Sequence, residues 1–153
     1  MGLLSTAQRR HSDYYLKKVH DLDLHYRKGG EEASKALTDF NSEWDQCKRG
    51  QAYAAEWIGK QDWGADLSIG YAIAGTLLLS LRFPPQQRIE WLDSGLRAAK
   101  LKDELKFQAQ IWAQLGSAND ALGEWEVSIR LYRESLNIVR TLGDRAMEPK
   151  HSK

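Results

Sequence analysis

Apolar residues recur along this chain in steps of three and four. From about Gln8 to Lys28, Tyr15, Val19, Leu22 and Tyr26 fall on one side of a helix, because the helical period brings i, i+3, i+4 and i+7 to the same face. Gly29-Gly30 predict its end, since glycine takes the left-handed backbone without a Cβ clash. Glu31 and Glu32 suit the positive end of a following helix, whose stripe is Ala33, Leu37, Phe40, Trp44 and Cys47. That helix is expected to continue through Tyr53 and Trp57 to a break at Gly59 and Asp62. At the N-terminus, Ser5 and Gln8 have the spacing of a capping box.

The stretch from Trp63 to Leu81 is apolar around most of its circumference, which predicts one continuous helix, the most buried of all. Pro84-Pro85 cannot continue it, and Pro85 suits the first turn of the next helix. That helix carries Ile89, Leu92, Leu96 and Ala99. A helix from about Glu104 to Leu122 carries Ile111, Leu115, Ala118 and Leu122, and Gly123 closes it. Trp125, Ile129, Tyr132, Leu136 and Val139 then step by four, three, four and three, a pattern ended by Gly143. Trp44, Trp112 and Trp125 sit on these stripes and are expected in the core. Sustained two-residue alternation is absent, so the reading is all-α: about three antiparallel helical hairpins, near 8–58, 63–101 and 104–142. They form a single domain over 1–147, and the polar residues 148–153 read as a frayed tail.

The second and third hairpins repeat one another. Tyr71-x-x-Ala74-Gly75 and Trp112-x-x-Leu115-Gly116 share the order aromatic, x, x, aliphatic, glycine. In the second helices, Leu92, Gly95 and Leu96 match Tyr132, Ser135 and Leu136 in the order large, small, large. Gly75 and Gly116 would let the helices of a hairpin approach closely, while Tyr71 and Trp112 fill the space between hairpins.

With Trp112, Leu115 and Gly116 in the W-x-x-L-G order, and Gly123, Trp125, Tyr132 and Leu136 downstream, the third hairpin resembles a tetratricopeptide repeat. Ser128 and Ser135 stand where that family has alanine, Arg140 replaces its proline, and the repeat is about 40 residues long instead of about 34. Arg10-His11-x-Asp13-Tyr14-Tyr15-Leu16, Phe40-Asn41-x-Glu43-Trp44 and Glu90-Trp91-Leu92-Asp93-x-Gly95-Leu96 extend a fainter resemblance over the whole chain. It is to the helical-repeat arm of bacterial NB-ARC and maltose-activator-like signal-transduction ATPases. The resemblance implies a right-handed α-solenoid of stacked hairpins that binds a protein or peptide on its concave side. The family's groove-lining positions correspond to Ile69, Ala72, Thr76 and Leu79 in the second hairpin and to Gln110, Ala113, Ser117 and Asp120 in the third. The nucleotide-binding module of such ATPases is not in this sequence, which has no G-x-x-x-x-G-K-[ST].

Composition narrows the function classes. The 153 residues are 42% hydrophobic and 28% charged, which excludes collagen, a disordered tail and a membrane-spanning chain. Lys+Arg of 22 against Asp+Glu of 21 leaves no global field to gather nucleic acid or anionic lipid. A single cysteine allows no internal disulfide and fits the cytoplasm. His11, His20, His25 and His151 lack a metal-ligand spacing and read as surface histidines. Asp21, Asp23, Glu31 and Glu32 lie among lysines and arginines, as solvated acids do. Without a nucleophile elbow, and with Cys47 on a buried stripe, no catalytic residue, cofactor or metal is expected.

The expected role is therefore a non-catalytic protein-interaction scaffold, a piece of a larger bacterial signalling or transcriptional regulator. The alternatives from other classes are a nucleic-acid-binding helical domain, with tryptophans as stacking platforms, and a sensor of a small-molecule effector. One structural expectation follows from stacking. The face of the last hairpin that would meet a further repeat should expose apolar surface or be covered by self-association, giving a homodimer through the C-terminal hairpin.

Overall fold

A computed structural model describes residues 2–147, which form seven α-helices and, among the described residues, no strand. The helices are α1 (Leu3–Arg27), α2 (Gly30–Glu56), α3 (Asp62–Ile73), α4 (Thr76–Arg82), α5 (Pro85–Leu101), α6 (Leu105–Ala121) and α7 (Trp125–Met147). The expected tail, 148–153, lies outside the described residues. Most boundaries fall where glycine or proline placed them. Gly29, Gly30, Gly59 and Gly123 all take positive φ, and Pro85 is the first residue of α5. Two ends differ. α1 starts at Leu3, so Ser5 lies inside the helix with its hydroxyl buried and unpartnered, and the capping box does not form. α7 runs through Gly143 to Met147, because one glycine costs a helix only about 1 kcal/mol.

The expected continuous helix over 63–81 is broken. α3 ends at Ile73, Gly75 turns left-handed at φ 63°, and α4 leaves at 65° to α3. The bend divides an all-round apolar segment between two cores. Ala65, Ile69 and Ala72 join Leu92, Leu96, Ile111 and Leu115 on the side of α5 and α6. Leu78, Leu79 and Phe83 join Val19, Leu22, Phe40 and Cys47 on the side of α1 and α2. A straight helix would leave part of that apolar circumference in water. Breaking a helix orphans the amides of the new first turn, and Asp23 of α1 supplies the acceptor. One carboxylate oxygen of Asp23 accepts from the Leu78 amide at 2.8 Å, and the other accepts from Arg27 Nε at 2.7 Å. Asp23 is thus a buried cap for α4 and not a solvated acid.

Packing follows chain order. α1 pairs with α2, α3 with α5, and α6 with α7; α2 packs on α3, and α5 packs on α6. No single helix is long and apolar enough to cross a membrane; α3 and α4 have the length only as a bent pair.

The repeat recurs in three dimensions at one point. In the second hairpin, a Cβ built on Gly95 of α5 would lie 3.2 Å from the Ser68 carbonyl oxygen of α3 and would overlap the Ala72 methyl. In the third, the matching Ser135 of α7 donates to the Ala109 carbonyl of α6 at 2.7 Å. Gly116 performs the expected close approach, since its missing Cβ would meet the Tyr132 ring at 3.0 Å. Gly75 does not: it makes the bend, with Val19 of α1 packed close against it.

Two substitutions test this account by urea unfolding. Gly95→Ala should lower stability by about 1–3 kcal/mol despite alanine's better helix propensity, because α3 and α5 must separate. Asp23→Ala should cost about 2 kcal/mol by stripping a charge-assisted cap from α4. A loss below about 0.5 kcal/mol in either, the ordinary range for surface changes, would refute the corresponding contact.

Candidate functional site

Equivalent positions in α5 and α7 have opposite environments. Leu92, Leu96 and Ala99 of α5 are buried against α6, in one core with Ile111, Leu115 and Ala118. Their counterparts 40 residues later, Tyr132, Leu136 and Val139 of α7, are 43%, 45% and 51% exposed, and the same stripe continues through Ile129 at 52% and Trp125 at 69%. Trp125 is therefore not a core residue. The stripe repeats every three to four residues, so it forms one continuous ridge along the helix.

α7 is held by its other face. Ser128 Oγ donates to the Gly116 carbonyl at 2.9 Å and Ser135 Oγ to that of Ala109, with Leu131 packed into the α5–α6 core. Small hydroxyls at these positions bring the two helices close, and the Tyr132 ring at the edge of the stripe also lies against Gly116. Along the stripe's outer rim stand Glu126, Arg133 and Arg140, all exposed and seven residues apart.

The expected concave-face residues divide. Gln110, Ser117 and Asp120 are exposed on α6 and Ala113 is half-buried. Ile69, Ala72 and Leu79 are buried and cannot line a groove; Thr76 is half-buried and donates to the Ile73 carbonyl at 2.8 Å. Ile69 and Ala72 turn toward α5 and α6, and Leu79 lies beyond the bend, packed on α1 and α2. A groove does run along α1 and α3, on neighbouring residues. Leu16, Lys17, His20 and Asp21 face Gly70, Ile73 and Ala74 across a cavity of about 510 Å³. Further along, Thr6, Arg9, Arg10 and Asp13 face Trp63, Asp66 and Leu67 across about 410 Å³.

The other expected signature residues serve packing. Tyr71 is fully buried and Leu115 is buried, while Trp112 lies against the α5–α6 core with Lys100 Nζ 5.1 Å above its ring. Among the other tryptophans, Trp91 and Trp63 are buried. Trp44 stacks on Trp91 at 5.7 Å, and Trp57 donates to Gln8 Oε1 at 2.7 Å. That leaves Trp125 as the one tryptophan whose ring stands mostly in water.

His11 is not a surface histidine. It lies between the rings of Tyr15 and Tyr53, at 4.7 and 5.4 Å, with Nε2 3.0 Å from Gln46 Oε1. Burial first, and the Arg49 charge second, hold its pKa below the ordinary imidazole value. His20 and His25 are exposed, and His151 lies outside the described residues. Among the described residues no three His, Cys, Asp or Glu side chains are placed to hold a metal. Burial pushes the Cys47 thiol up to about 12, far from a nucleophile's range.

No family model, curated protein or solved structure matches this chain.

The Cys47 environment gives a direct check. The native protein should leave a thiol-specific disulfide reagent unreacted at pH 8, and one thiol should titrate after denaturation. Rapid reaction of the folded protein would place Cys47 outside the core.

Proposed function

We propose that this chain is a non-catalytic protein-interaction scaffold of tetratricopeptide type, and that it serves as the repeat arm of a larger bacterial signalling or transcriptional regulator. In this reading the three hairpins are units of a right-handed α-solenoid, and its working surface is the α7 ridge. A single observation carries the proposal: the positions that α5 uses to hold the next hairpin are the ones that α7 presents to solvent. A run of large apolar side chains in water is costly to solubility and marks a surface that another protein covers. A repeat array needs its end face polar or covered, and the α7 face is apolar and exposed among the described residues.

Several features favour this reading over its alternatives. The nucleic-acid reading asks for exposed aromatic platforms beside uncompensated cations; only Trp125 among the tryptophans is broadly open, and the charges nearly cancel. A sensor of a small effector would use the groove between α1 and α3, where the polar residues of the stretch beside Leu16, which are Lys17, His20 and Asp21, are all exposed and give no buried anchor of the kind small ligands require.

The test is photocrosslinking. A photoreactive amino acid at Ile129 should give protein adducts in the source cell, and the same group at Ser80 on α4 should give none. If Ile129 yields no protein adduct while the purified chain binds DNA or RNA with a steep salt dependence, the scaffold reading fails and the nucleic-acid alternative replaces it.

A further inference from the structure

We infer that the partner on the α7 ridge is a second copy of this chain, packed antiparallel about a two-fold axis beside Tyr132. This rests on the preceding reading of α7 as an interaction surface and names its occupant.

Three observations lead there. First, the ridge differs from the surface that holds a stacked hairpin. Where α5 offers Leu92 and Ala99 to α6, α7 offers Tyr132 and Val139. The larger side chains would hold a hairpin like α6–α7 further away, whereas two long ridges of large residues interdigitate as helix pairs do. Second, the steps of four, three, four and three from Trp125 to Val139 are those of a helix-pairing seam, and the seam is centred on Tyr132. Full overlap of two seams therefore sets Trp125 against Val139 of the second copy and Ile129 against its Leu136. Third, the charged rims meet in only one orientation, and there the end pairs are opposite in sign. Glu126 stands at the N-terminal end of the ridge, and Arg133 and Arg140 follow toward the C-terminal end. A parallel pair would turn these two rims to opposite sides of the interface, where their charges do not meet. An antiparallel pair brings Glu126 of each copy toward Arg140 of the other, with the two Arg133 side chains meeting beside the axis, and also opposes the two helix dipoles. A two-fold interface uses one surface twice, so a self-complementary ridge is what closure at a dimer requires.

Sedimentation equilibrium of the chain up to ~100 µM, where a micromolar interface is nearly saturated, should give twice the mass of one chain. Ile129→Asp and Leu136→Asp each lie on exposed positions; both should keep the helical circular dichroism of the parent while weakening association by ~100-fold or more. Glu126→Arg should weaken it by ~3–10-fold at low salt, and adding Arg140→Glu to that variant should restore it. Orientation is read by cysteine crosslinking. Tyr132→Cys should form a disulfide-linked dimer by itself, whereas Trp125→Cys should crosslink in a mixture with Val139→Cys and not alone.

A monomer throughout the concentration range overturns the inference. So does a dimer that persists in folded Ile129→Asp, crosslinking of Trp125→Cys alone, or open-ended assembly beyond two copies. If the chain is monomeric yet Ile129 still crosslinks to a different protein in the cell, the scaffold reading stands and only its self-pairing falls.

Discussion

The joint on which the arrangement of the first two hairpins depends is a buried phenol. Tyr71 of α3 is wholly enclosed, and its hydroxyl donates to the Ser12 carbonyl of α1 at 2.6 Å. Ser12 in turn donates its own hydroxyl to the Gly50 carbonyl of α2 at 2.7 Å, and Gly50 has no side chain because the Tyr71 hydroxyl occupies that space. A phenol buried without an acceptor costs about 1–3 kcal/mol. Tyr71 therefore fixes where three helix backbones lie relative to one another. Burial raises its pKa above the ordinary phenol value, so the group stays a donor throughout the accessible pH range. On its other side the ring meets Trp91 of α5 edge-on at 5.4 Å, which carries the constraint into the second hairpin.

With α3 pinned by Tyr71, the remaining apolar residues of the 63–81 segment have to find cover where α3 leaves room for it. The break at Ala74 and Gly75 is the outcome. It sends Leu78 and Leu79 to the first core and leaves Ile69 and Ala72 to the second, and Asp23 satisfies the helix end so created. The second core then extends to α6 through α5. Arg88 assists, reaching from α5 to Gln114 Oε1 of α6 at 2.7 Å while almost wholly buried. Its counterpart in the third hairpin is Ser128, which bonds within its own hairpin, to the Gly116 carbonyl. The same position thus ties one hairpin to the next in α5 and closes on itself in α7.

Periodicity and glycine were enough to locate the helices, because both act locally: a stripe at helical spacing and a residue with left-handed freedom act within a few positions of themselves. Whatever depends on a distant partner was not legible. The bend in the 63–81 segment is made by Gly75, which reads in sequence as part of a packing motif, and is completed by Asp23, 55 residues before the Leu78 amide it caps and set in sequence among charged residues that suggest solvent. His11 had the same disguise, since its enclosure by Tyr53 and Gln46 comes from α2. The family resemblance sets the groove on Ile69, Ala72, Thr76 and Leu79, whereas the face of α3 turned to α1, one residue further round the helix, presents Asp66, Gly70 and Ile73. No spacing in the sequence encodes which face that is; the contacts of Tyr71 and Gly95 set it.

The stripes of α2 and α7 illustrate a more general limit. Phe40, Trp44 and Cys47 and the run from Ile129 to Val139 obey the same spacing, yet the first faces a core and the second faces water. Amphipathicity states that a face is apolar; it does not state what covers that face. The repeat supplies the missing information. Because α5 and α7 are equivalent elements, the burial of Leu92, Leu96 and Ala99 shows what such a face does when a neighbour is present. The substitutions to Tyr132, Leu136 and Val139 show how α7 departs from that use. A stripe under pressure only to avoid water has no reason to carry larger apolar residues than its equivalent in α5. This one has gained volume at two of three positions and acquired a phenol that can remain hydrated at its rim, the composition of a surface that is alternately wet and covered.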